Sequence, residues 1–189
     1  MPPVSETLLF LRQLITRPRQ VSAIAPSSRA LARAMAKGLG AGPAGSGRVV
    51  EFGPGTGRLT EGILAAGVRQ EDLTLFEMNP EFVDHLRLRW PGAHVVLGGA
   101  ETAAAHIAPG VSAVISGLPL LSMPVAVRRA IVGAAFAVLA PGGRYIQFTY
   151  GPNPPLPATE MAELGLTVER GEKIWLNLPP ATVYRFRKA

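Results

Sequence analysis

The residues best placed to do chemistry are Val49-Val50-Glu51-Phe52-Gly53-Pro54-Gly55-Thr56-Gly57, an apolar run that ends in an acid and opens into three alternating glycines. Glycine tolerates sharp backbone turns and lets a ligand approach the main chain closely. A strand breaking into such a loop at a helix N-terminus is the nucleotide-binding crevice of an open α/β sheet. The spacing separates the ligand classes. A dinucleotide site needs G-x-G-x-x-G, whereas the glycines here fall at 53, 55 and 57. A P-loop needs Gly-Lys-Ser/Thr, and Arg58-Leu59 follow Gly57 instead. The next acid is Glu77, twenty residues after Gly57 and at the end of Leu73-Thr74-Leu75-Phe76. A carboxylate at that distance, closing a second strand, hydrogen-bonds a ribose diol. The alternative, a structural glycine turn, does not account for Glu77.

The elements that must position these residues alternate between strand and helix. Strands are predicted at about 48–52, 73–77, 93–97, 112–116 and 144–149, with helices near 57–66, 79–89, 100–107 and 123–139. That order implies a parallel sheet with helices on both faces. Leu166 to Trp175 and Thr182 to Arg187 alternate around Asn177-Leu178-Pro179-Pro180 and predict a closing antiparallel hairpin. Trp175 is read as a core residue. The stretch 150–157 holds four prolines and leaves a strand on the ligand side, as a stiff wall or lid over a substrate. The fourth strand runs into Ser116-Gly117-Leu118-Pro119-Leu120-Leu121, where an acceptor would approach.

Upstream, residues 1–48 hold seven basic residues and one acid, which accounts for the whole net charge of +6. An anionic partner is therefore met through the N-terminal fifth. Residues 4–17 predict a helix with Val4, Thr7, Leu8, Phe10, Leu11, Leu14 and Ile15 in an arc of roughly 160°. It reads either as an ordinary packed helix or as one lying in a lipid headgroup layer. Ser27 or Ser28 caps a second helix to about Leu39, with Arg29, Arg33 and Lys37 on one face and Leu31, Met35 and Leu39 on the other. The glycine- and proline-rich stretch 38–47 is the clearest boundary, giving an N-terminal helical arm (1–47), part of the same domain, and a core (48–189). At 189 residues one domain is expected.

The chain has no cysteine, which removes disulfides and thiolate metal sites. His85, His94 and His106 lack ligand spacing, so no metal is expected. No apolar run reaches eighteen residues and no signal-peptide pattern is present, so a cytoplasmic protein is expected.

The form Glu51-x-Gly53-x-Gly55-x-Gly57 resembles the first motif of class I S-adenosylmethionine-dependent methyltransferases. That resemblance implies a Rossmann-like class I methyltransferase fold: α/β, with a mostly parallel seven-stranded sheet, the antiparallel C-terminal hairpin and the helical arm. Base-methylating enzymes carry Asp or Asn-x-Pro-aromatic after the fourth strand, whereas this chain has Gly117 and Leu120 there. A flat base would lose a hydrogen bond and a stacking partner worth roughly 1–3 kcal/mol. No nucleic-acid partner is expected on that ground.

Three stretches together resemble the bacterial phosphatidylethanolamine (phospholipid) N-methyltransferase family: Ala23-Ile24-Ala25-Pro26-Ser27-Ser28-Arg29-Ala30-Leu31-Ala32, Val50 to Gly57, and Ser116 to Leu121, with Tyr150-Gly151-Pro152. The resemblance implies methyl transfer from S-adenosylmethionine to the headgroup amine of phosphatidylethanolamine and its mono- and dimethyl forms, towards phosphatidylcholine. It leaves S-adenosylhomocysteine as the coproduct, and it implies a peripheral protein of the inner membrane surface. It places Glu51, Gly53, Gly55 and Gly57 around the methionine moiety and Glu77 and Met78 around ribose and adenine, with Thr56 and Ser116 as further cofactor contacts. Where such enzymes often have Gly-Asp-Ala, this chain reads Gly98-Gly99-Ala100-Glu101. Either Glu101 takes over adenine recognition or the Ala100 backbone N–H acts alone. Backbone carbonyls of Gly117 and Leu118 are candidates to aim the amine, and Tyr150 either faces the cationic products or packs as a strand-end residue under the proline loop. Leu8, Leu11, Ile15, Arg17, Arg19 and Arg29 are the candidate lipid contacts of a protein expected to be monomeric. The competing readings are an rRNA or RNA adenine N6-methyltransferase and a cofactor-binding membrane module without catalysis.

Overall fold

The computed structural model describes residues 27–40, 47–150 and 153–189. The first predicted helix, with Leu8, Leu11, Ile15, Arg17 and Arg19, lies outside the described residues, as do most of the 38–47 linker and Gly151-Pro152.

Seven strands form one sheet: β1 (Val49–Phe52), β2 (Leu73–Glu77), β3 (His94–Leu97), β4 (Val111–Ser116), β5 (Leu139–Thr149), β6 (Leu166–Ile174) and β7 (Ala181–Lys188). Their order is β3-β2-β1-β4-β5-β7-β6. The first five run parallel, and β7 pairs antiparallel with both β5 and β6. The order reverses between β1 and β4, which places the ligand crevice of an open sheet beyond their C-terminal ends.

The helices are α1 (Arg29–Ala36), α2 (Arg58–Ala65), α3 (Pro80–Arg89), α4 (Ala103–His106), α5 (Val125–Val138) and α6 (Ala158–Glu163). They cover two cores, one per sheet face, because side chains along a strand alternate. Val49 packs with Leu31, Met35, Leu59, Ile63 and Leu86 on one face. Val50 and Phe52 pack with Ile131, Val138 and Tyr145 on the other. Buried on both faces, β1 is apolar throughout except for Glu51.

Ser28 caps α1 by accepting from the Leu31 N–H at 3.1 Å. That helix buries Leu31 and Met35 against the sheet and leaves Arg29, Arg33 and Lys37 exposed. Residues 29–36 thus contribute to the same core as the sheet, although the composition changes sharply at 47.

Three local expectations are corrected, and one helix is added. The helix predicted over 100–107 is a 3-10 turn (Ala100–Thr102) followed by one α-turn. β5 begins at Leu139, which pairs with Val111 before a bulge leads to the Ala113–Arg144 pairing. The segment 158–163 is helical, started by Pro157 at its cap. Trp175 is 70% exposed rather than core, because the hairpin turns just before it and carries it beyond the last paired residue, Ile174.

Candidate functional site

The glycine loop is held by backbone bonds to both neighbouring strands. Gly53 N–H donates to Phe76 O at 3.0 Å, and Gly117 N–H donates to Phe52 O at 2.8 Å. Gly55 has φ +54°, and a side chain there would meet nothing within 4 Å, so the loop presents bare backbone to open space. Gly57 has φ +82° at the start of α2, and a Cβ there would lie 2.2 Å from the Trp90 ring. Thr56 is an exposed residue between them.

Beneath the loop, Glu51 is completely buried. Its Oε2 accepts from Thr60 Oγ1 at 2.7 Å, and its Oε1 has no partner among the described residues. Burial raises its pKa to about 8, with the nearby Glu77 charge adding to the rise and the Thr60 bonds opposing it. Thr60 was not foreseen. It lies three residues past Gly57, on the first turn of the helix that the loop opens into.

Glu77 stands at the end of β2, where the ribose reading requires it. Its Oε2 accepts from Gly55 N–H at 3.0 Å, and its Oε1 from Met78 and Asn79 N–H at 2.9 Å each. The carboxylate therefore ties the glycine loop to the second strand. Met78 packs partly buried against the core.

At the end of β3, the chain's departure from Gly-Asp-Ala takes a definite shape. A Cβ built on Gly99 would lie 2.2 Å from Glu101 Oε1 and 2.4 Å from Oε2. The Glu101 carboxylate thus fills the volume that a side chain at 99 would occupy, and its Oε2 is buried without a partner among the described residues. Ala100 is also buried.

A second part of the crevice lies beyond β4. A cavity of about 230 Å³ is lined by Gly117, Leu118, Leu120, Phe148, Tyr150 and Pro155, among others. Phe148 and Tyr150 meet edge to face at 5.4 Å. Burial pushes the Tyr150 phenol up, the Asn177 side chain opposing the shift. A Cβ on Gly117 would lie 2.8 Å from Gly53 O, so an acid or amide at 117 has no room unless the backbone moves.

Ser116 is fully buried, and its Oγ accepts from Leu118 N–H at 3.3 Å, so its side chain supports the loop that follows β4. The Leu118 carbonyl is not free: Gln147 Nε2 and the Leu120 N–H both donate to it at 2.9 Å, which occupies both of its lone pairs. Gln147, paired with Ser116 across β4 and β5, also accepts from Tyr145 Oη at 2.8 Å. A second brace comes from α5. Buried Arg128 donates to Leu120 O and Met123 O at 3.4 Å each and forms a two-point pair with buried Glu160 of α6. It joins the floor of the cavity to the segment that follows the proline-rich stretch. Neither Gln147 nor Arg128 carries a local sequence signal, since their partners come from distant elements.

Among the described residues, no group of His, Asp and Glu is arranged to hold a metal ion, and no helix is long and apolar enough to cross a membrane. His85, His94 and His106 are all exposed.

No family model matches the chain. No curated protein matches it either. Solved structures do. A TehB-like SAM-dependent methyltransferase from Corynebacterium glutamicum aligns over 98% of this chain and 99% of its own, with a TM-score of 0.62 at 14% identity. The Burkholderia thailandensis 1,6-didemethyltoxoflavin-N1-methyltransferase, solved with bound 1,6-didemethyltoxoflavin and S-adenosylhomocysteine, aligns over 100% of this chain and 92% of its own (TM-score 0.69, 15% identity). The glycopeptide N-methyltransferase MtfA, complexed with sinefungin, aligns over 85% and 94% (TM-score 0.64, 17% identity). At such identities the likeness shows the fold alone: this chain has the Rossmann-like α/β fold of methyltransferases, with its antiparallel C-terminal hairpin.

Proposed function

We propose that the chain transfers methyl groups from S-adenosylmethionine to the headgroup amine of phosphatidylethanolamine and its mono- and dimethyl forms, towards phosphatidylcholine, at a membrane surface. The observation that carries the substrate reading is the apolar acceptor cavity, in which residue 117 has no room for the acid or amide that a nucleobase would need.

The cofactor assignment is supported by groups left ready for a ligand. Gly55 borders open space. Glu51 Oε1 and Glu101 Oε2 are buried oxygens without partners among the described residues, an arrangement that costs free energy unless something donates to them. In this reading Glu51 receives the ammonium of the methionine moiety, Glu77 the ribose hydroxyls, and Glu101 the adenine amine. When bound, the cofactor supplies a methyl group already activated on a sulfonium.

The chain's own task is then positioning, which can supply most of the rate for an in-line displacement. The Gly117 carbonyl orients an unprotonated amine, while the Leu118 carbonyl, held by Gln147 and Leu120, shapes the loop. Gln147 holds Leu118 in place from behind. The Phe148–Tyr150 pair gives the cationic products an aromatic face, worth about 0.5–2 kcal/mol. The N-terminal charge, with exposed Arg29 among it, brings the protein to anionic lipid.

The experiment offers labelled S-adenosylmethionine with phosphatidylethanolamine vesicles and with RNA in parallel, and pellets the vesicles. Label in the lipid is the expected result. Label in RNA, with strong salt-dependent binding, would move the assignment to an RNA adenine methyltransferase. Vesicle binding without label in either would leave a membrane module that holds cofactor.

A further inference from the structure

The tip of the β6–β7 hairpin displays Trp175, Leu176 and Leu178 at 70%, 84% and 81% exposure. Single exposed apolar residues are ordinary, but three large ones within four positions form a patch that calls for a partner. The tip is also anchored. Asn177, in the midst of the three, is 3% exposed; its Oδ1 accepts from Ser28 N–H at 2.8 Å and its Nδ2 donates to Pro179 O at 2.8 Å. With Asn177 pinned inward, its neighbours are held outward.

The register places this tip on the acceptor rim. Thr182 of β7 pairs with Thr149 at the C-terminal end of β5, and Ala181 pairs with Ile174 at the end of β6. The residues between therefore lie at the edge of the sheet where β4 and β5 deliver Gly117, Leu118 and Tyr150. Leu121 and Val125, both about half exposed, follow β4 on the same rim. Glu172 is paired with Lys37, and the unpaired charges nearby are cationic. Lys173 Nζ lies 3.9 Å from the Trp175 ring centroid, and exposed Arg29 follows Ser28, the residue bonded to Asn177. Neither cation is paired with an acid among the described residues. Indole, leucine and unpaired cations on one rim are the composition of a surface seated at a lipid interface.

We propose that Trp175, Leu176 and Leu178 insert into the headgroup layer of an anionic bilayer and set the mouth of the acceptor cavity against the lipid. This rests on the phospholipid reading above but adds a docking site separate from the N-terminal arm. It makes headgroup delivery a matter of orientation: a bound protein faces its cavity to the membrane.

The test uses the full chain and vesicles of phosphatidylethanolamine and phosphatidylglycerol, with or without brominated acyl chains. Trp90 is buried, so the vesicle-dependent part of the emission belongs to Trp175. The expected result is a blue shift and quenching by bromolipid, both lost in Trp175→Phe. The triple variant Trp175→Ser/Leu176→Ser/Leu178→Ser should bind vesicles at least tenfold more weakly, yet bind cofactor and methylate detergent-dispersed phosphatidylethanolamine as before. Unquenched Trp175 in a protein that does methylate vesicles overturns the docking site and leaves the phospholipid reading standing. Quenched Trp175 in a protein that methylates no phospholipid in any form does the reverse. Two further outcomes overturn the proposal by giving the tip another occupant: emission already blue without vesicles that reddens on deleting residues 1–26, or a dimer that the triple variant disperses.

Discussion

Glu51 and Thr60 form a hydrogen bond of 2.7 Å in which both residues are wholly buried, and the second Glu51 oxygen faces no described donor. An unpaired carboxylate there would be costly, so the native protein holds the proton until about pH 8. The unfolded chain releases it near 4.5. Between those values the native state binds more protons than the unfolded state, so unfolding free energy falls as pH rises through that window. Glu51→Gln keeps an acceptor for Thr60 but cannot ionise. Its stability relative to the parent should therefore climb from pH 5 to 8.5, measured by denaturant titration.

The same pair predicts a proton balance on binding. An ammonium arriving at Glu51 favours the carboxylate, so cofactor binding near neutral pH should release a proton. Calorimetry in buffers of different ionisation enthalpy will read that release in the parent and its absence in Glu51→Gln. A charge-assisted bond contributes about 1.5–3 kcal/mol, so the variant should bind roughly 10- to 100-fold more weakly. Unchanged affinity would remove Glu51 from the binding site.

The overlap between Glu101 and the space beside Gly99 makes a relocation test possible. Glu101→Ala should weaken adenosyl binding and reduce discrimination against the inosine analogue, since its buried oxygen no longer accepts the amine. Gly99→Asp alone forces two carboxylates into one volume and should lower stability by about 1–3 kcal/mol. Gly99→Asp/Glu101→Ala should recover both stability and affinity, as followed by thermal melts and analogue titrations. If the double variant is no better than the Gly99→Asp single one, the two positions do not share a function.

Much of this was legible in the sequence, and what was not has a physical reason. Apolar runs ended by glycine or an acid marked β1, β2 and β4, because strands buried on both faces must be apolar along their length. Glu51, Glu77 and the three glycines fell together because all lie at strand ends near one switch point. The start of β5 was hidden by Gly142-Gly143, which reads as a turn and is a bulge. The helix at 158–163 was hidden behind a proline run, whose last member, Pro157, is its N-cap. Trp175 misled because alternation continues up to it, and nothing local says where the pairing stops. Thr60, Gln147 and Arg128 act through partners supplied by other elements, which spacing along one chain does not reveal.

Gly55 tests the loop itself. With φ +54° and open space around it, Gly55→Ala adds a left-handed non-glycine residue without a clash. The strain is about 1–2 kcal/mol, which lowers Tm by roughly 2–8 °C for a chain of this size. The methyl projects where a ligand must approach, so cofactor affinity should fall more than tenfold while the circular dichroism spectrum is unchanged. Affinity preserved to within a factor of two would mean that the ligand does not approach this backbone.

The Arg128–Glu160 pair predicts an acid-sensitive acceptor wall. Arg128 holds the Glu160 carboxyl below its usual value of 4.5. A depressed native pKa contributes stability that is present above 4.5 and lost as pH falls through the lowered value. Arg128→Ala leaves Glu160 buried and unpaired and should cost about 3–5 kcal/mol. Replacing both partners, as Arg128→Met/Glu160→Met, should restore most of that and remove the pair's acid-limb contribution. Because Arg128 also binds the carbonyls of Leu120 and Met123, the double variant should raise KM for lipid more than it lowers kcat.

Deletion of residues 1–17 separates membrane attachment from cofactor binding. The pattern of Leu8, Leu11 and Ile15 opposite Arg12 and Arg17 suits a helix lying at a lipid surface, and each cation near an anionic bilayer contributes about 1 kcal/mol. The truncated protein should lose vesicle binding at least tenfold, most steeply at low salt, and retain cofactor affinity within about threefold by calorimetry. Residual vesicle binding by the truncated chain should then be abolished by the Trp175, Leu176 and Leu178 serine substitutions, since the two contacts act in parallel. Equal loss of vesicle and cofactor binding on truncation would instead make residues 1–17 part of the cofactor pocket's closure, and the membrane role would pass to the hairpin tip alone.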